Sequence, residues 1–417
     1  MRLAVRAKRL VDGTGGAPVE DTIILIEGDR IKEVVTARGA LVPEGYEVLE
    51  AGCYTVLPGL IDGHVHISGS GDPRERSMNP VSQSIPALTM ACYANCLKDL
   101  EAGFTTVRDA SCRDFADVAV RDAINSGRLC GPRLWVSGLG ITSTTGHMDR
   151  EKGLPPHISL PGLKALADGP VEARRAVRLN LRFNVDIIKF NATLSEHVRR
   201  YGGTCAPEMT KETMAAIIEE SHWHGRKVTA HCHGGEGVTW AIEAGIDGLD
   251  HGFFLSDEQL DVMAKRGVTL CPTLSVMGRF REMKAKGIPA ESPELEVWRS
   301  KAVQAAWDTV RRAHRAGVRI VCGTDAAMPF VRHGTNAFEL ALLVEAGLTP
   351  AEAIIAATSN AAAGLGFDDV GKVAPGKFAD LIFVDGDPLS DIGILQDLKR
   401  IPLVMKGGKI AADRRAC

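Results

Sequence analysis

The sequence has no apolar stretch long enough to span a bilayer, and its N-terminus lacks the apolar core and cleavage site of a secretory signal peptide. It has no long run of charges of one sign, and its formal net charge is only -3. It also has no basic stripe and no nucleic-acid-binding motif. These absences predict a cytoplasmic protein with no membrane partner and no nucleic-acid partner.

None of the 10 cysteines has a neighbour at the C-x-x-C spacing that zinc ribbons and thioredoxin-like redox sites require. Several lie inside apolar, strand-like runs, where cysteine behaves as a small hydrophobic residue. A chain of 417 residues also needs no disulfides to stabilise its fold. We therefore expect reduced thiols in the core.

Both ends of the chain have the pattern of short strands separated by glycine-containing turns. The strand-like segments are 3–10, 22–27, 30–35 and 46–50 at the start, and 379–385, 401–406 and 409–412 at the end. Because the termini of a domain often lie close together, these segments predict one small β-sandwich domain made of residues 1–57 and 366–417.

The central part, residues 58–365, alternates strand and helix patterns. Eight candidate strands are present, at 54–58, 105–108, 134–137, 186–190, 227–230, 248–250, 269–273 and 319–322. Helical patterns lie between them, the clearest at 86–102, 210–224, 237–244, 256–265, 293–316 and 336–346. Eight strands with intervening helices predict an α/β fold in which a (β/α)8 TIM barrel carries the terminal β-sandwich. A doubly wound sheet would need a glycine-rich phosphate turn after its first strand, and Pro58-Gly-Leu-Ile-Asp-Gly-His lacks one.

Several glycines suit the left-handed position that follows a helix, and Ser256 suits a helix start. The glycines are Gly103, Gly245, Gly267, Gly317 and Gly347. Two long loops, 68–84 and 139–170, follow the first and third predicted strands, where lids and binding loops usually lie.

Residues with metal-binding side chains cluster just after the predicted strands: His64, His66, Lys189, His231, His251 and Asp325. In a barrel enzyme such positions face the active site. Alternation along an extended segment would put His64 and His66 on the same side. Burial at the end of an apolar strand would favour a neutral amine at Lys189. Each residue alone is equally compatible with a structural role, but together they predict a site for Zn²⁺ or a similar divalent ion.

Four motifs resemble the signatures of the amidohydrolase superfamily. They are Pro58-Gly-Leu-Ile-Asp-Gly-His-Val-His, Thr229-Ala-His231, Leu249-Asp-His251-Gly and Cys322-Gly-Thr-Asp325. The tail from Thr358 to Gly366 and from Gly371 to Ile382 is similarly typical, so the resemblance spans nearly the whole chain.

This resemblance implies a binuclear, metal-dependent hydrolase that cleaves an amide or peptide bond of a small substrate. His64, His66 and Asp325 would hold a buried ion, and His231 and His251 a more exposed one. Lys189, carboxylated by CO2, would bridge two divalent ions, with zinc as the expected metal. A bridging hydroxide would attack the carbonyl, and Asp325 would carry the proton to the leaving amine.

Two further histidines are candidate substrate contacts by the same resemblance. His147 would contact the substrate or stabilise the oxyanion, and His333 would bind substrate from the loop after the last barrel strand. A solvated loop position for His147 and a structural role for His333 compete with these assignments. The resemblance also implies a homo-oligomer.

Within the superfamily, the chain looks closest to dipeptidases and carboxypeptidases that cleave Xaa-Pro or C-terminal Arg/Lys bonds. Related members hydrolyse other amides of amino acids, including a mycotoxin amide, so an N-acyl amino acid is the other expected substrate class. That group often has an aromatic residue two positions after the strand-five histidine, where it contacts the substrate carboxylate, whereas this chain has His233. His233, Arg74, Arg76 or Arg332 could take over that contact, and the sequence does not choose among them.

Two other functions compete with this interpretation. A mononuclear deaminase or ring-opening hydrolase, such as an imidazolonepropionase-like enzyme, would share His64, His66, His231 and Asp325 but would not need Lys189. A non-catalytic scaffold on the same barrel is disfavoured because every expected ligand is present.

Overall fold

The computed structural model describes residues 2–36, 41–74, 83–160, 162–194, 205–290 and 292–415. Its strands are β1 (Arg2–Leu10), β2 (Val19–Glu27), β3 (Arg30–Thr36), β4 (Glu47–Pro58), β5 (Leu60–Val65), β6 (Phe104–Asp109), β7 (Arg133–Val136), β8 (Ile141–Thr142), β9 (Ala165–Leu166), β10 (Ile187–Asn191), β11 (Lys227–Gly234), β12 (Gly248–Phe254), β13 (Thr269–Cys271), β14 (Leu381–Val384), β15 (Leu403–Lys406) and β16 (Lys409–Asp413). Its helices are α1 (Ile85–Glu101), α2 (Ala116–Asn125), α3 (Pro170–Arg182), α4 (Lys211–Trp223), α5 (Glu236–Glu243), α6 (Asp257–Arg266), α7 (Leu274–Ala285), α8 (Pro293–Ala316), α9 (Phe338–Glu345), α10 (Pro350–Ala356) and α11 (Ser359–Leu365).

Strands from both chain ends lie in one seven-stranded sheet, in the order β16-β15-β14-β4-β1-β2-β3. Strand β14 from the C-terminal segment pairs antiparallel with β4, and β4 pairs parallel with β1. A hydrophobic cluster that includes Leu3, Val5, Leu381 and Phe383 packs on this sheet. The pairing of the two ends agrees with the strand patterns, while the domain boundaries at 57/58 and 365/366 stay predictions.

The prediction that 54–58 is the first strand of the central region is wrong. These residues are the end of β4, and they pair with Leu381–Val384 in the terminal sheet. The first central strand is β5, after a crossing at Gly59, where an added Cβ would lie 2.0 Å from the Thr105 hydroxyl. The pattern of apolar residues indicates a strand but not the sheet that contains it. The sequence therefore predicts residues 54–58 as the first central strand, whereas that strand is β5.

The central region contains two parallel sheets, β13-β12-β11-β10-β8-β9 and β5-β6-β7. On one side, Asp186 N, just before β10, donates to Val136 O of β7 (2.9 Å). On the other side the segment 321–322 connects them, because Gly63 N of β5 donates to Cys322 O (2.7 Å) and Val321 N donates to Leu270 O of β13 (2.8 Å). The predicted strand 319–322 is reduced to a bridge between Ile320 and Leu270. The fold is therefore mixed α/β, and the carboxyl ends of its parallel strands lie on one side.

Helix boundaries agree best with the sequence where capping residues mark them. Helix α8 has the predicted bounds 293–316, with Ser292 capping its start and Gly317 in the left-handed conformation after its end. Helix α6 begins with a capping box formed by Ser256 and Gln259. The five predicted helix-ending glycines all have positive φ.

Nine cysteines fall within the described residues, and all nine are free thiols, six of them buried. This agrees with the expected reduced core thiols; Cys417 lies outside the described residues. Within the described ranges, no helix combines the length and the apolar character needed to cross a bilayer.

Candidate metal centre and active site

One cavity brings together all six candidate metal ligands at the carboxyl ends of the parallel strands. His64 comes from β5, Lys189 from β10, His231 from β11 and His251 from β12. His66 and Asp325 follow β5 and the bridge at Ile320. The order of strands places side chains that are far apart in sequence around one space.

His64, His66 and Asp325 form a compact group of potential ligands. Asp325 Oδ1 lies 3.6 Å from His64 Nε2 and 3.3 Å from His66 Nε2. Backbone hydrogen bonds fix the group, because Asp325 N donates to His64 O at 2.7 Å and His66 N donates to Ala326 O at 2.9 Å. One ligand atom from each residue lies within 4.8 Å of the others, which suits a single divalent ion.

His231 and His251 lie beside this group, with their ring centroids 4.6 Å apart. His251 Nδ1 is 2.7 Å from the Thr273 hydroxyl, a contact that orients the ring. His231 Nε2 is buried and has no hydrogen-bond partner among the described residues. Burial lowers the pKa of both imidazoles well below its usual value. Both rings are therefore neutral, the protonation state that binds a metal ion.

Two adjacent residues of β12, Asp250 and His251, both contact His64. Asp250 Oδ2 is 3.3 Å from His64 Nδ1, and the His251 and His64 ring centroids are 5.1 Å apart. Regular alternation would turn one of the two side chains away. His251 has φ 71, a left-handed conformation that breaks the alternation. Asp325 also has a positive φ, 59, so two candidate ligands have a backbone conformation that is rare outside functional sites.

Lys189 is buried and forms an ion pair with Asp250. Asp250 also accepts hydrogen bonds from Arg108 Nη2 at 2.6 Å and from the Thr229 hydroxyl at 3.1 Å. Burial would raise the pKa of Asp250, but the charges of Lys189 and Arg108 outweigh it and hold that pKa well below its usual value. The carboxylate is therefore ionised beneath the cavity.

Asp325 is also ionised. Its burial would raise its pKa, but the hydrogen bond to His66 holds that pKa well below the usual range. An ionised carboxylate together with the imidazoles of His64, His66, His231 and His251 forms a donor set that fits borderline divalent ions such as Zn²⁺.

Of the two predicted substrate histidines, only His147 lines the cavity. Its ring stacks on that of His231 at 4.2 Å with an interplanar angle of 8°. His333 is buried outside the cavity lining, where Nδ1 is 2.8 Å from Asp99 Oδ2 and Nε2 is 3.2 Å from His66 O. Both partners are acceptors, so both ring nitrogens donate, and this geometry favours a role in holding the His66 backbone over direct substrate contact.

The structure separates the four residues that the sequence left open for a substrate carboxylate. His233 lines the cavity, 4.7 Å from His231 between ring centroids. Arg74 and Arg332 instead lie at Asp72 on the surface, with side chains 88% and 60% exposed. Arg76 lies outside the described residues.

Sequence patterns missed the wall of the cavity that α7 and α8 form. Phe280, Trp298 and Arg299 line it together with Phe253 from β12. The Arg299 guanidinium lies over the Phe280 ring, 3.7 Å from its centroid, and the residue is only 6% exposed. Phe280, Trp298 and Arg299 lie on helices, so the expectation that active-site residues follow the predicted strands could not identify them. Among the described lining residues, Arg299 and Lys189 are the cations and Asp325 is the carboxylate.

The family model for the amidohydrolase family matches residues 55–411 of the chain. Ochratoxinase of Aspergillus niger is 33% identical over 377 residues, which cover 85% of this chain and 75% of the relative. The imidazolonepropionase of Streptomyces coelicolor is 26% identical over 389 residues, covering 88% and 86%. A crystal structure of a Xaa-Pro dipeptidase with bound methionine has a TM-score of 0.87 and 31% identity, covering 98% of this chain and 99% of the other. The chain therefore belongs to the amidohydrolase family and is a hydrolase that acts on carbon–nitrogen bonds.

Proposed function

We propose that this protein is a binuclear metal-dependent amidohydrolase that cleaves an amide or peptide bond of a small substrate. We base this mainly on one observation: six candidate ligands line one cavity, namely His64, His66, Lys189, His231, His251 and Asp325. Four imidazoles, an ionised carboxylate and a buried lysine from separate strands are a donor set for two divalent ions.

The proposal includes a closed (β/α)8 barrel. The hydrogen bonds that connect β7 to the start of β10, and β5 to residues 322–326, support closure on both sides of the two parallel sheets. The solved Xaa-Pro dipeptidase, which covers nearly the whole chain, supports it independently.

Each candidate ligand has a proposed role. His64, His66 and Asp325 would hold one ion, and His231 and His251 would hold the other. The Lys189 amine would add to CO2 and release a proton, and the resulting carbamate would supply an oxygen to each ion.

Bound divalent ions lower the pKa of water and polarise a carbonyl group. Asp325, the carboxylate of the cavity, would accept the proton of the attacking water and return it to the leaving nitrogen. His147 would contact the carbonyl oxygen of the substrate.

The substrate class that fits this cavity is a dipeptide such as Xaa-Pro or an N-acyl amino acid. The names of the Xaa-Pro dipeptidase and ochratoxinase relatives support amide cleavage. Part of the cavity lining is apolar and aromatic, with Phe253, Met277, Phe280 and Trp298. We propose that Arg299, with His233 beside Trp298, receives the substrate carboxylate, since a guanidinium matches a carboxylate in two parallel hydrogen bonds.

One observation favours a mononuclear hydrolase as the second candidate. Lys189 is already paired with Asp250, and His64, His66 and Asp325 alone can surround one ion. The similarity to an imidazolonepropionase agrees with a ring-opening reaction. In that case Lys189 would stay an ammonium and only one ion would bind.

The proposed function is tested by stripping the protein of metal with a chelator and reconstituting it with Zn²⁺, Mn²⁺ or Co²⁺. Each form is then assayed against Xaa-Pro dipeptides, N-acyl amino acids and cyclic amides. We expect hydrolysis of dipeptides or N-acyl amino acids only in the reconstituted protein. Hydrolysis of cyclic amides alone would support the mononuclear candidate and contradict the proposal.

A further inference from the structure

A buried carboxylate outside the proposed ligand set, Glu208, lies behind the cavity and contacts two segments that line it. The residue is 8% exposed, and burial raises its pKa to about 7, although the hydrogen bonds it accepts lower it. None of the steps proposed above uses it.

Glu208 accepts hydrogen bonds from four donors. Oε1 accepts from the Thr142 hydroxyl at 2.6 Å, from Ser143 N at 3.2 Å and from Asn191 Nδ2 at 3.3 Å. Oε2 accepts from His147 N at 2.7 Å. Every partner is a donor, so both side-chain oxygens of Glu208 have to accept. An ionised carboxylate is the side chain that accepts on both oxygens.

The loop around His147 is packed closely on this carboxylate. A Cβ added at Gly146 would lie 2.4 Å from Glu208 Oε1, so the chain can approach only because residue 146 has no side chain. The Ser143 hydroxyl also donates to Glu208 O at 3.0 Å. These contacts fix the backbone that holds the His147 ring against His231.

The same carboxylate sets the orientation of Asn191, which follows Lys189 by two residues and lines the cavity. The Asn191 amide nitrogen donates to Glu208 and lies 3.2 Å from the Thr142 hydroxyl. Its oxygen, Oδ1, is buried and has no hydrogen-bond partner among the described residues. An amide turned the other way would place its oxygen against the Glu208 carboxylate, so the carboxylate selects the orientation that leaves Oδ1 available.

We propose that Glu208 is a positioning residue that fixes His147 and Asn191 together, and that Asn191 Oδ1 thereby accepts a hydrogen bond from an N–H group of the substrate. The substrate contact rests on the proposed function, whereas the positioning of the loop does not. A buried acceptor without a partner is costly in the free protein, and a substrate donor would remove that cost.

The test compares Glu208→Gln with the matched control Glu220→Gln. Glu220 is another buried glutamate, which accepts hydrogen bonds from Arg174 and Arg178 of α3 and does not line the cavity. At pH 8, where Glu208 is ionised, amide hydrogen exchange of residues 142–148 is measured in both variants. Gln would place a donor against donors, so we expect at least roughly tenfold faster exchange at Ser143 and His147 in Glu208→Gln alone. Unchanged exchange would overturn the positioning role, even if the protein hydrolyses nothing.

The catalytic part is tested by a mutant cycle. We expect Glu208→Gln to lower kcat/KM roughly tenfold in the wild type, and less than about twofold in a protein that also has His147→Ala and Asn191→Leu. Metal content should stay unchanged in all forms. The same tenfold loss in both backgrounds would mean that Glu208 does not act through these residues. If the wild type cleaves no amide at all, the proposed function fails, and hydrogen exchange still decides the role of Glu208.

Discussion

Arg299 is the residue whose proposed role departs most from what the sequence offered. It lines the cavity beside Trp298, and its guanidinium stacks on Phe280. We predict that the wild-type protein prefers substrates with a free carboxylate over their neutral carboxamides. Arg299→Gln should reduce this preference about 10- to 100-fold, because it removes a hydrogen-bonded pair of opposite charges that contributes binding free energy of that size. Steady-state kinetics with paired substrates measures the preference.

Arg279→Gln is the matched control for this prediction. Arg279 also stacks on an aromatic ring, with Cζ 4.0 Å from the Phe338 centroid, but it does not line the cavity. We expect its carboxylate preference to match that of the wild type. An unchanged preference in Arg299→Gln would assign the carboxylate to another residue, with His233 as the next candidate.

The candidate ligands could be predicted residue by residue, because each lies at the end of an apolar strand and parallel strands end on one side. Arg299 and Glu208 could not, since a helix position and a loop position have no such signal in one sequence. The place of His333 after the last predicted strand of the central region predicted substrate contact, and that contact stays a prediction, although the structure buries the ring against Asp99 and the His66 carbonyl.

At the level of elements, the close approach of β5 to residues 320–325 controls the site. A Cβ added at Gly323 would lie 2.3 Å from Cys271 Sγ and 2.9 Å from His64 N. The backbone of His64 would therefore have to move. We predict that Gly323→Ala lowers both the free energy of unfolding and the number of metal ions bound, measured by denaturant unfolding and elemental analysis.

Gly52→Ala controls for the change of glycine to alanine. Nothing lies within 4 Å of an added Cβ at Gly52, and its φ is not in the left-handed region. We expect wild-type metal content in this variant. Full metal content in Gly323→Ala would show that His64 tolerates the shift and that the site is less rigid than its contacts imply.

The helices and strands could be predicted best where capping residues mark a helix end and where the sheet that contains a strand can be recognised. Helix α8 was predicted at both ends because Ser292 and Gly317 mark them. Helices α2, α3, α7, α10 and α11 were not among the predicted helices. Helices α2 and α7 each begin after a residue in the left-handed conformation with no side-chain cap, whereas α10 was missed although Thr349 and Glu352 form a capping box at its start. The strand at 54–58 was recognised as a strand but assigned to the wrong sheet, since it pairs there with β1 on one side and, on the other, with β14, more than 300 residues away in sequence.

At the level of the whole molecule, buried carboxylates make stability depend on pH. Asp117 is fully buried, and burial, with the charge of Asp109, raises its pKa to about 8 from 3.8. A raised carboxyl pKa contributes stability that is complete below the unfolded pKa and is lost as the pH rises through the folded value. Between pH 5 and 8 we predict that the free energy of unfolding of the wild type falls relative to Asp117→Asn, by up to about 1.4 kcal/mol per pH unit. Urea unfolding at several pH values measures this difference, and parallel pH profiles would contradict it.

The expected homo-oligomer and cytoplasmic location stay predictions at this scale. Size-exclusion chromatography with light scattering gives the mass in solution directly, and a multiple of the chain mass of 44.6 kDa is the expected result. A mass equal to one chain would contradict the expected oligomer.

The measurement that tests the central claim most directly is metal stoichiometry by elemental analysis on wild type and Lys189→Ala, each also assayed for amide hydrolysis. Lys189 alone distinguishes the bridged two-metal site from a one-metal site that His64, His66 and Asp325 could form. We predict about two ions per wild-type chain, with loss of metal and of activity in Lys189→Ala. One ion per chain, unaffected by the substitution, would contradict the bridged site and favour the mononuclear hydrolase.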